Sequence, residues 1–473
     1  MARTVLQWVT ALLAKIDAQT AYAVPYEQRY RNEYTLPFLI REYAEVYGVG
    51  AVNGLMGIQP PRAGTAAVVV DAFVERLNVK GAQSDDSAAV KLVEDAWQDN
   101  DLDVMHREAH RESMIKRTAF AQVSRSADGS RAIVGIDAAE QVAVHRMPGP
   151  PYDVDAALKV WADEWTGRRR ARLWLPGVDY DLTETGILAR DPEGGPLSTW
   201  MVVGDPRPTG LPGVPVVEFP AQARLLVDPV SEIEPIVTHV DIVDLIEGLM
   251  VFAGHFGAVP IRWATGLEVP RDPKDPTKPL LGPDGKPLIG FNPRADHTWV
   301  STSADAKFGQ LTPASLESFV SWAQHASMRI RAKTGVASTY LSLDLKSHMS
   351  AELLKTDEAP MVRRTNAKGR DGTYGQAWRR VMQLILQIED PTSRARVVPR
   401  WEDPQTRIES QDADVFSKLA PHVGALHAAE KVLGWSRPEA EAAVAAASEA
   451  KIAADPFAGL LGKPLIGDPA GDR

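Results

Sequence analysis

Residues 231–256 read SEIEPIVTHVDIVDLIEGLMVFAGHF, and residues 313–334 read PASLESFVSWAQHASMRIRAKT. Each is long enough for about six helical turns or more. The first carries Glu234, Asp241, Asp244 and Glu247 and no Lys or Arg. The second shows an apolar stripe of Leu316, Phe319, Val320, Ala323 and Ile330. It ends in Arg329, Arg331 and Lys333, the charge sign that suits a helix C-terminus, and Gly335 stops it. Between the two lie residues 260–311, dense in proline and glycine around 271–293, a small αβ or loop-rich module. Two long helices bracketing a compact module are the organising feature of the chain.

Outward from this pair the pattern is mixed. On the N-terminal side a helix is expected over about 5–32, with Tyr26, Tyr30 and Tyr34 on one face and Leu36-Pro37 as its stop. Within its first turns Gln7, Thr10 and Lys15 interrupt the apolar residues, while Val5, Val9, Leu12, Leu13 and Ile16 keep helical spacing. That is an amphipathic helix, not a signal peptide. Further helices fit 66–76, 87–97 and 104–117. Then come hairpins at 118–124/131–136, around Asp128-Gly129, and at 157–164/170–175, around Thr166-Gly167, and short strands at 199–203 and 214–219. Past Gly335, Ser350 caps a helix with Glu352 in its first turn and Pro360 as a kink. An amphipathic helix covers 374–388. Helices near 412–433 follow, and Ser436-Arg437-Pro438-Glu439 opens an alanine-rich helix to about 454. The fold class is α+β, mainly helical.

Composition narrows the function. At 473 residues, 44% hydrophobic and 24% charged, the chain suits two or three globular domains. With no cysteine, disulfides, thiolate metal sites and cysteine nucleophiles are excluded. A formal charge of −10 argues against a protein that grips nucleic acid over its whole surface, because phosphate neutralisation supplies most of that affinity. No stretch has the ~18 apolar residues of a membrane span.

Enzymatic patterns are incomplete. His106 and His110 stand one helical turn apart, but Arg107 occupies the place where a zincin has glutamate, and no third ligand is evident. The Gly-Lys-Pro endings near Lys286 and Lys463 lack the Ser/Thr of a P-loop, and no Gly-x-Ser-x-Gly elbow occurs. Asp85-Asp86 sit in a polar loop, and Arg168-Arg169-Arg170 read as a solvated hairpin charge run. The sequence GKPLIG at 285–290 and again at 462–467 reads as chance or loop chemistry. No cofactor is implied.

Several segments, in order, resemble the portal proteins of tailed double-stranded-DNA phages, in the branch common in phages of actinobacteria. They are Trp97, Asn100, Leu102 and Asp103; Gly213-Val214-Pro215-Val216-Val217-Glu218-Phe219; Ser231-Glu232-Ile233; and Pro260-Ile261-Arg262-Trp263-Ala264-Thr265-Gly266. The last is Ser350-Ala351-Glu352 continuing to Gly375-Gln376-Ala377-Trp378, where Tyr374 replaces the family's usual Phe. Two departures are visible. The family often has glycine where Lys116-Arg117-Thr118 enters the first hairpin, and Pro360 replaces a helix former.

The resemblance implies a non-enzymatic dodecameric ring at one capsid vertex, a channel for DNA packaging and ejection. It divides the chain into a wing (1–230), stem helix 1 (231–256), clip (257–312), stem helix 2 (313–335), tunnel loop (336–349), kinked helix and wing return (350–408), crown (409–455) and tail (456–473). Implied partners are further copies of itself, passing double-stranded DNA, the terminase large subunit, a head–tail connector, the major capsid protein and the scaffolding protein. No membrane is among them. Asp344, Lys346, Ser347 and His348 become tunnel-loop candidates, and Arg271, Lys274, Lys278 and Lys286 candidates for clip docking. Glu234, Asp241, Asp244, Arg329, Arg331 and Lys333 become candidates for the channel lining or stem faces. An acidic lining would let DNA slide without sticking. Another virion adaptor, or a metal-dependent nucleic-acid enzyme centred on His106, Glu108 and His110, stand as the alternatives.

Overall fold

A computed structural model of the chain describes residues 3–34, 62–149, 153–190, 197–225, 227–258, 262–266, 271–281, 305–310, 315–341, 350–405, 409–433, 435 and 440–447. The chain divides into two compact units. One comprises Met1–Lys346 with Arg363–Glu402, the other Ser347–Val362 with Asp403–Arg473.

The first unit opens with α1 (Val5–Tyr30), closed by a capping box in which Thr4 and Gln7 exchange hydrogen bonds. After it come α2 (Thr65–Val74), β1 (Val79–Gln83), α3 (Ser87–Asp99) and α4 (Leu102–Lys116). The β-rich part then runs β2 (Thr118–Arg125), β3 (Ala132–Ala138), β4 (Val142–Arg146), β5 (Val154–Ala162), β6 (Arg169–Leu175), β7 (Val178–Arg190), β8 (Leu197–Pro208) and β9 (Val216–Pro220). These make two antiparallel sheets, β3-β2-β9 and the meander β4-β5-β6-β7-β8. Both expected hairpins are present. The Arg168–Arg170 run leaves a turn at Gly167 (φ +64°), and Arg170 pairs with Asp163 at 2.8 Å.

Period-two alternation places the cores. On one face of the meander Ala156, Leu158, Ala171, Leu173, Leu182 and Trp200 meet the Leu6, Val9, Leu12 and Ile16 stripe of α1. Toward the other sheet, Val142, Val144, Ala157 and Trp174 pack on Phe120, Val214 and Val216. Small alanines at the centre of β5 let the layers approach closely.

A 3-10 turn (Glu234–Ile236) leads into α5 (Val237–Ala258), which packs along α6 (Glu317–Thr334). Gly335 ends α6 at φ +76°, its N–H donating 2.7 Å to the Arg331 carbonyl. Between them are two short ribbons: β10 (Arg262–Thr265) with β13 (Lys307–Gln310), and β11 (Arg271–Asp272) with β12 (Asp275–Pro279). Ser350 caps α7 (Ala351–Lys368) through its Oγ to the Leu353 N–H, 3.3 Å. Pro360, expected to kink this helix, leaves the helical run unbroken from Ala351 to Lys368. The division between units falls just beyond it, between Val362 and Arg363.

Next, α8 (Thr373–Glu389) buries Tyr374, Trp378, Val381, Met382 and Ile385, one helical stripe. The strand β14 (Val398–Trp401) then pairs antiparallel with β1, an association of segments far apart in the chain that local sequence does not signal. In the second unit α9 (Glu409–Val423) and α10 (Ala425–Ala428) follow one another, and residues 440–447 are helical. Ser436–Glu439 and both GKPLIG stretches lie outside the described residues.

Candidate functional site

The long-helix pair and its ribbons are where the sequence places a conduit, and their attachment to the rest of the unit is polar. Four tyrosines on α1 and just beyond it present phenols to carboxylates. Tyr22 and Tyr26 both donate to Glu234, the latter at 3.2 Å. Tyr30 donates to Asp71 of α2 at 3.0 Å, and Tyr34 to Asp244. Arg29 grips Asp241 with two bonds of 3.0 Å, and Asp244 also accepts the Ala63 N–H at 2.8 Å. Burial, reinforced by Glu234, Asp71 and Asp244 in turn, pushes the Tyr22, Tyr30 and Tyr34 hydroxyls up, Tyr30 to about 12. They remain protonated donors.

This corrects one expectation. Asp241 is buried and Asp244 is 1% exposed. Both turn to partners on the same chain, so within the subunit they are neither a solvated face nor a lining. Glu234, half-buried, is held by the same tyrosines. Their positions in the sequence do not name the neighbour these acids meet. The missed partners are Tyr22, Arg29 and Tyr34; their only sequence signal is the i, i+4 spacing of the α1 tyrosines.

The solvent side of α6 is different. Arg329 and Lys333 are exposed, and the Lys333 ammonium donates 2.7 Å to the Pro235 carbonyl, tying the last turn of α6 to the start of α5. Arg331 is half-buried in the same turn. Burial and then Lys333, Arg329 and His325 hold His239 of α5 below its ordinary pKa, so it stays neutral. Along the rest of α6, Leu316, Val320, Trp322 and Met328 are exposed, Trp322 by 69%. Of the apolar stripe read from the sequence only Ile330 is buried, with Ala326 beside it.

In the ribbons, Arg271 donates 2.9 Å to the Pro276 carbonyl and Lys278 pairs with Asp275 at 3.2 Å. Lys274 stands exposed at the turn, its backbone N–H bound to Asp272. Lys286 and all four tunnel-loop candidates, Asp344, Lys346, Ser347 and His348, lie outside the described residues.

The imidazole pair of α4 is core, not a metal centre. The Nδ1 of His106 lies 2.7 Å from the Leu102 carbonyl, and the Val79 N–H points to its Nε2 at 3.4 Å. The Nε2 of His110 accepts from Trp378 at 2.9 Å. Tyr374 stacks on His110 at 4.8 Å and Trp401 at 5.7 Å, while Trp97 meets Trp378 at 5.0 Å. Burial holds both imidazoles neutral, His110 well below the ordinary value. Among the described residues no group of three or more His, Asp or Glu is arranged to hold a metal.

This aromatic core also gathers four of the segments that carry the family resemblance, those at Trp97–Asp103, Phe219, Ser231–Glu232 and Tyr374–Trp378. Trp97 donates to Asp103 at 2.9 Å, and Asn100 bridges to the main chain of β3. Tyr374 donates to Ser113, which donates 2.6 Å to the Phe219 carbonyl. Ser231 donates to the Met114 carbonyl, and Lys368 bonds Glu232. At Gly375 a Cβ would fall 2.5 Å from the Gly369 carbonyl oxygen, so no side chain fits.

No protein-family model matches the chain. It is 24% identical over 395 residues to the portal protein of Mycobacterium phage D29, the match covering 80% of this chain and 77% of that one. To the portal protein of Mycobacterium phage L5 it is 25% identical over 375 residues, covering 75% and 72%. Among solved structures, the neck of a native gene transfer agent particle computed with C12 symmetry aligns at a TM-score of 0.43 and 9% identity. That alignment covers 81% of this chain and 92% of the other. The virion of the native particle aligns at 0.42 and 10%, over 80% and 89%.

Proposed function

We propose that this chain is the portal subunit of a tailed phage, a virion protein that forms a ring at one capsid vertex through which DNA enters and leaves. The observation that carries the reading is a similarity running across 75–80% of this chain and 72–77% of two phage portal proteins. The convergence of the segments around Trp97, Phe219, Ser231 and Trp378 on one packed core supports it. Residues that stand far apart in the chain are held together there.

In this reading α5 and α6 are the stem, the two ribbons belong to the clip, and α1 with the two sheets forms the wing. The exposed apolar side of α6 is a subunit contact, since a protomer alone leaves Trp322 and Met328 in water. A dodecamer is the proposed assembly, with terminase and connector docking at the clip through Lys274 and its neighbours, and capsid and scaffolding proteins around the wing. DNA would meet Arg329 and Lys333 as rings of cations on an otherwise acidic chain. Such rings steer a polyanion while the net charge keeps it from binding everywhere.

Negative-stain images of the purified chain test this. Rings of about twelve with a central hole are expected. A monomer at every salt and protein concentration would overturn the reading. Deleting residues 270–293 should leave rings intact and abolish connector docking, whereas a simple adaptor would lose assembly altogether.

A further inference from the structure

One exposed aromatic ring and one cavity stand at opposite ends of the strand β5. Trp165, at the tip of the β5–β6 hairpin, is 97% exposed, more than any other large hydrophobic side chain among the described residues. Its turn is fixed in advance. The Asp163 carboxylate accepts the N–H of Trp165 at 3.0 Å and that of Thr166 at 3.4 Å, and pairs with Arg170 at 2.8 Å. The main chain of Asp163 closes the turn, its N–H donating to the Arg168 carbonyl at 2.9 Å and its carbonyl accepting the Gly167 N–H at 2.8 Å. An indole held in water on an ordered turn is an interface anchor whose ordering cost falls before binding, not during it.

The cavity lies where β5 begins. It measures about 280 Å³ and runs between β9, α8 and the loop that precedes β9. Val154, Val214, Val216 and Leu384 give it apolar walls, and Val214 and Val216 belong to the core between the two sheets. An engineered protein cavity of about 150 Å³ accepts a benzene ring, so this one has room for the fused rings of an indole. The charges match as well. Glu164 and Arg168 flank Trp165, and Asp153 and Arg380 stand at the cavity rim, all four exposed. None of the four closes an ion pair among the described residues, although Asp153 and Arg380 act on each other at longer range. Glu218, the other acid of the lining, is already held by Arg146 at 2.8 Å.

We infer that the Trp165 hairpin docks into the β9–α8 cavity of a second copy of this chain, the indole on the valine floor, Arg168 toward Asp153 and Glu164 toward Arg380. A protomer cannot close this contact on itself. The nine residues of β5 separate the cavity from the hairpin tip, about 30 Å at 3.3 Å per residue. Anchor and cavity at opposite ends of one strand make a head-to-tail contact, and contacts of that kind build rings when the rotation between copies closes. A ring-sized cavity and two rim charges of opposite sign, matched on one chain, favour a second copy over an unrelated protein. The proposal rests on the ring reading above and names a contact within that ring.

Mass photometry of the full-length chain across protein concentration tests it. Trp165→Ala is expected to raise the concentration at half-assembly by about tenfold or more, the loss typical of an interface anchor. Arg168→Asp and Asp153→Arg should each weaken assembly alone. Together they should bring it back to within about threefold of the parent, because the reversed pair attracts again. Far-UV circular dichroism should be unchanged in all four variants, whose substituted side chains are exposed. Parent-like assembly of Trp165→Ala overturns the proposal, and so does a double variant as weak as the two single changes combined. Either result leaves a parent that forms rings, and the portal reading stands. A parent that stays monomeric at every concentration overturns both.

Discussion

Arg117 occupies a left-handed conformation, φ +68°, at the junction of α4 and β2, where the family pattern often has glycine. That conformation costs a residue with a Cβ roughly 1–2 kcal/mol. The offset is its guanidinium, which lies 4.5 Å over the Tyr22 ring and pairs at 3.2 Å with a largely exposed Asp228. Alanine keeps the strain and loses both contacts; glycine loses the contacts and the strain. Arg117→Gly is therefore expected to be more stable than Arg117→Ala by about 1 kcal/mol, read from urea midpoints. Buried histidine gives a second prediction. Burial lowers the folded pKa of His106 and His110, so the unfolded chain takes up protons that the folded one refuses. Their contribution is fully present above about pH 6.5 and is lost as pH falls below it. His110→Asn, which keeps an acceptor near Trp378, should flatten the fall in stability between pH 7 and 5. An unchanged pH profile would show that the loss originates elsewhere.

The attachment of α5 to α1 gives the sharpest prediction among the elements. Removing one partner of a largely buried, doubly bonded ion pair leaves the other charge uncompensated. Asp241→Asn should therefore destabilise by about 3 kcal/mol, against about 1–2 kcal/mol for Tyr34→Phe. Equal small losses in urea titrations would mean that the pair is hydrated and does not anchor α5. What could be read in advance follows the same boundary between local and non-local. The stripe of α8, the Gly335 stop, the Ser350 cap and the β2–β3 hairpin are set by neighbours within a few residues, and all were legible. The strands β4 and β7 were not, because Gly186 and the alternating charges of Asp179, Asp181 and Glu184 blur the apolar period in β7. Nor was the β1–β14 pairing, whose partners lie far apart in the chain. The carboxylates Glu234, Asp241 and Asp244 were picked out as candidates, and what they face was misassigned. His106 and His110 gave a metal-like spacing that only the packing of Tyr374, Trp378 and Trp401 around them resolves.

For the whole molecule, the balance between protomer and ring should sit on the exposed side of α6. Trp322→Glu places a charge where a neighbouring subunit would press. It is expected to abolish rings in negative stain while leaving the protomer's thermal unfolding within about 0.5 kcal/mol of the parent, as for other surface changes. Rings that persist would move the contact to another face. The discontinuous make-up of the first unit has a further consequence, for biosynthesis. Phe219 leaves the ribosome long before Tyr374 and Trp378, which cover it, and Val79 has no strand partner until Trp401 is made. At 5–20 residues per second the nascent chain carries the uncovered Phe219 for roughly 8–30 s and the unpaired Val79 for roughly 16–64 s. Fragments ending between residues 221 and 372 are therefore expected in the insoluble fraction, and high yield of the intact chain should depend on holdase chaperones during translation.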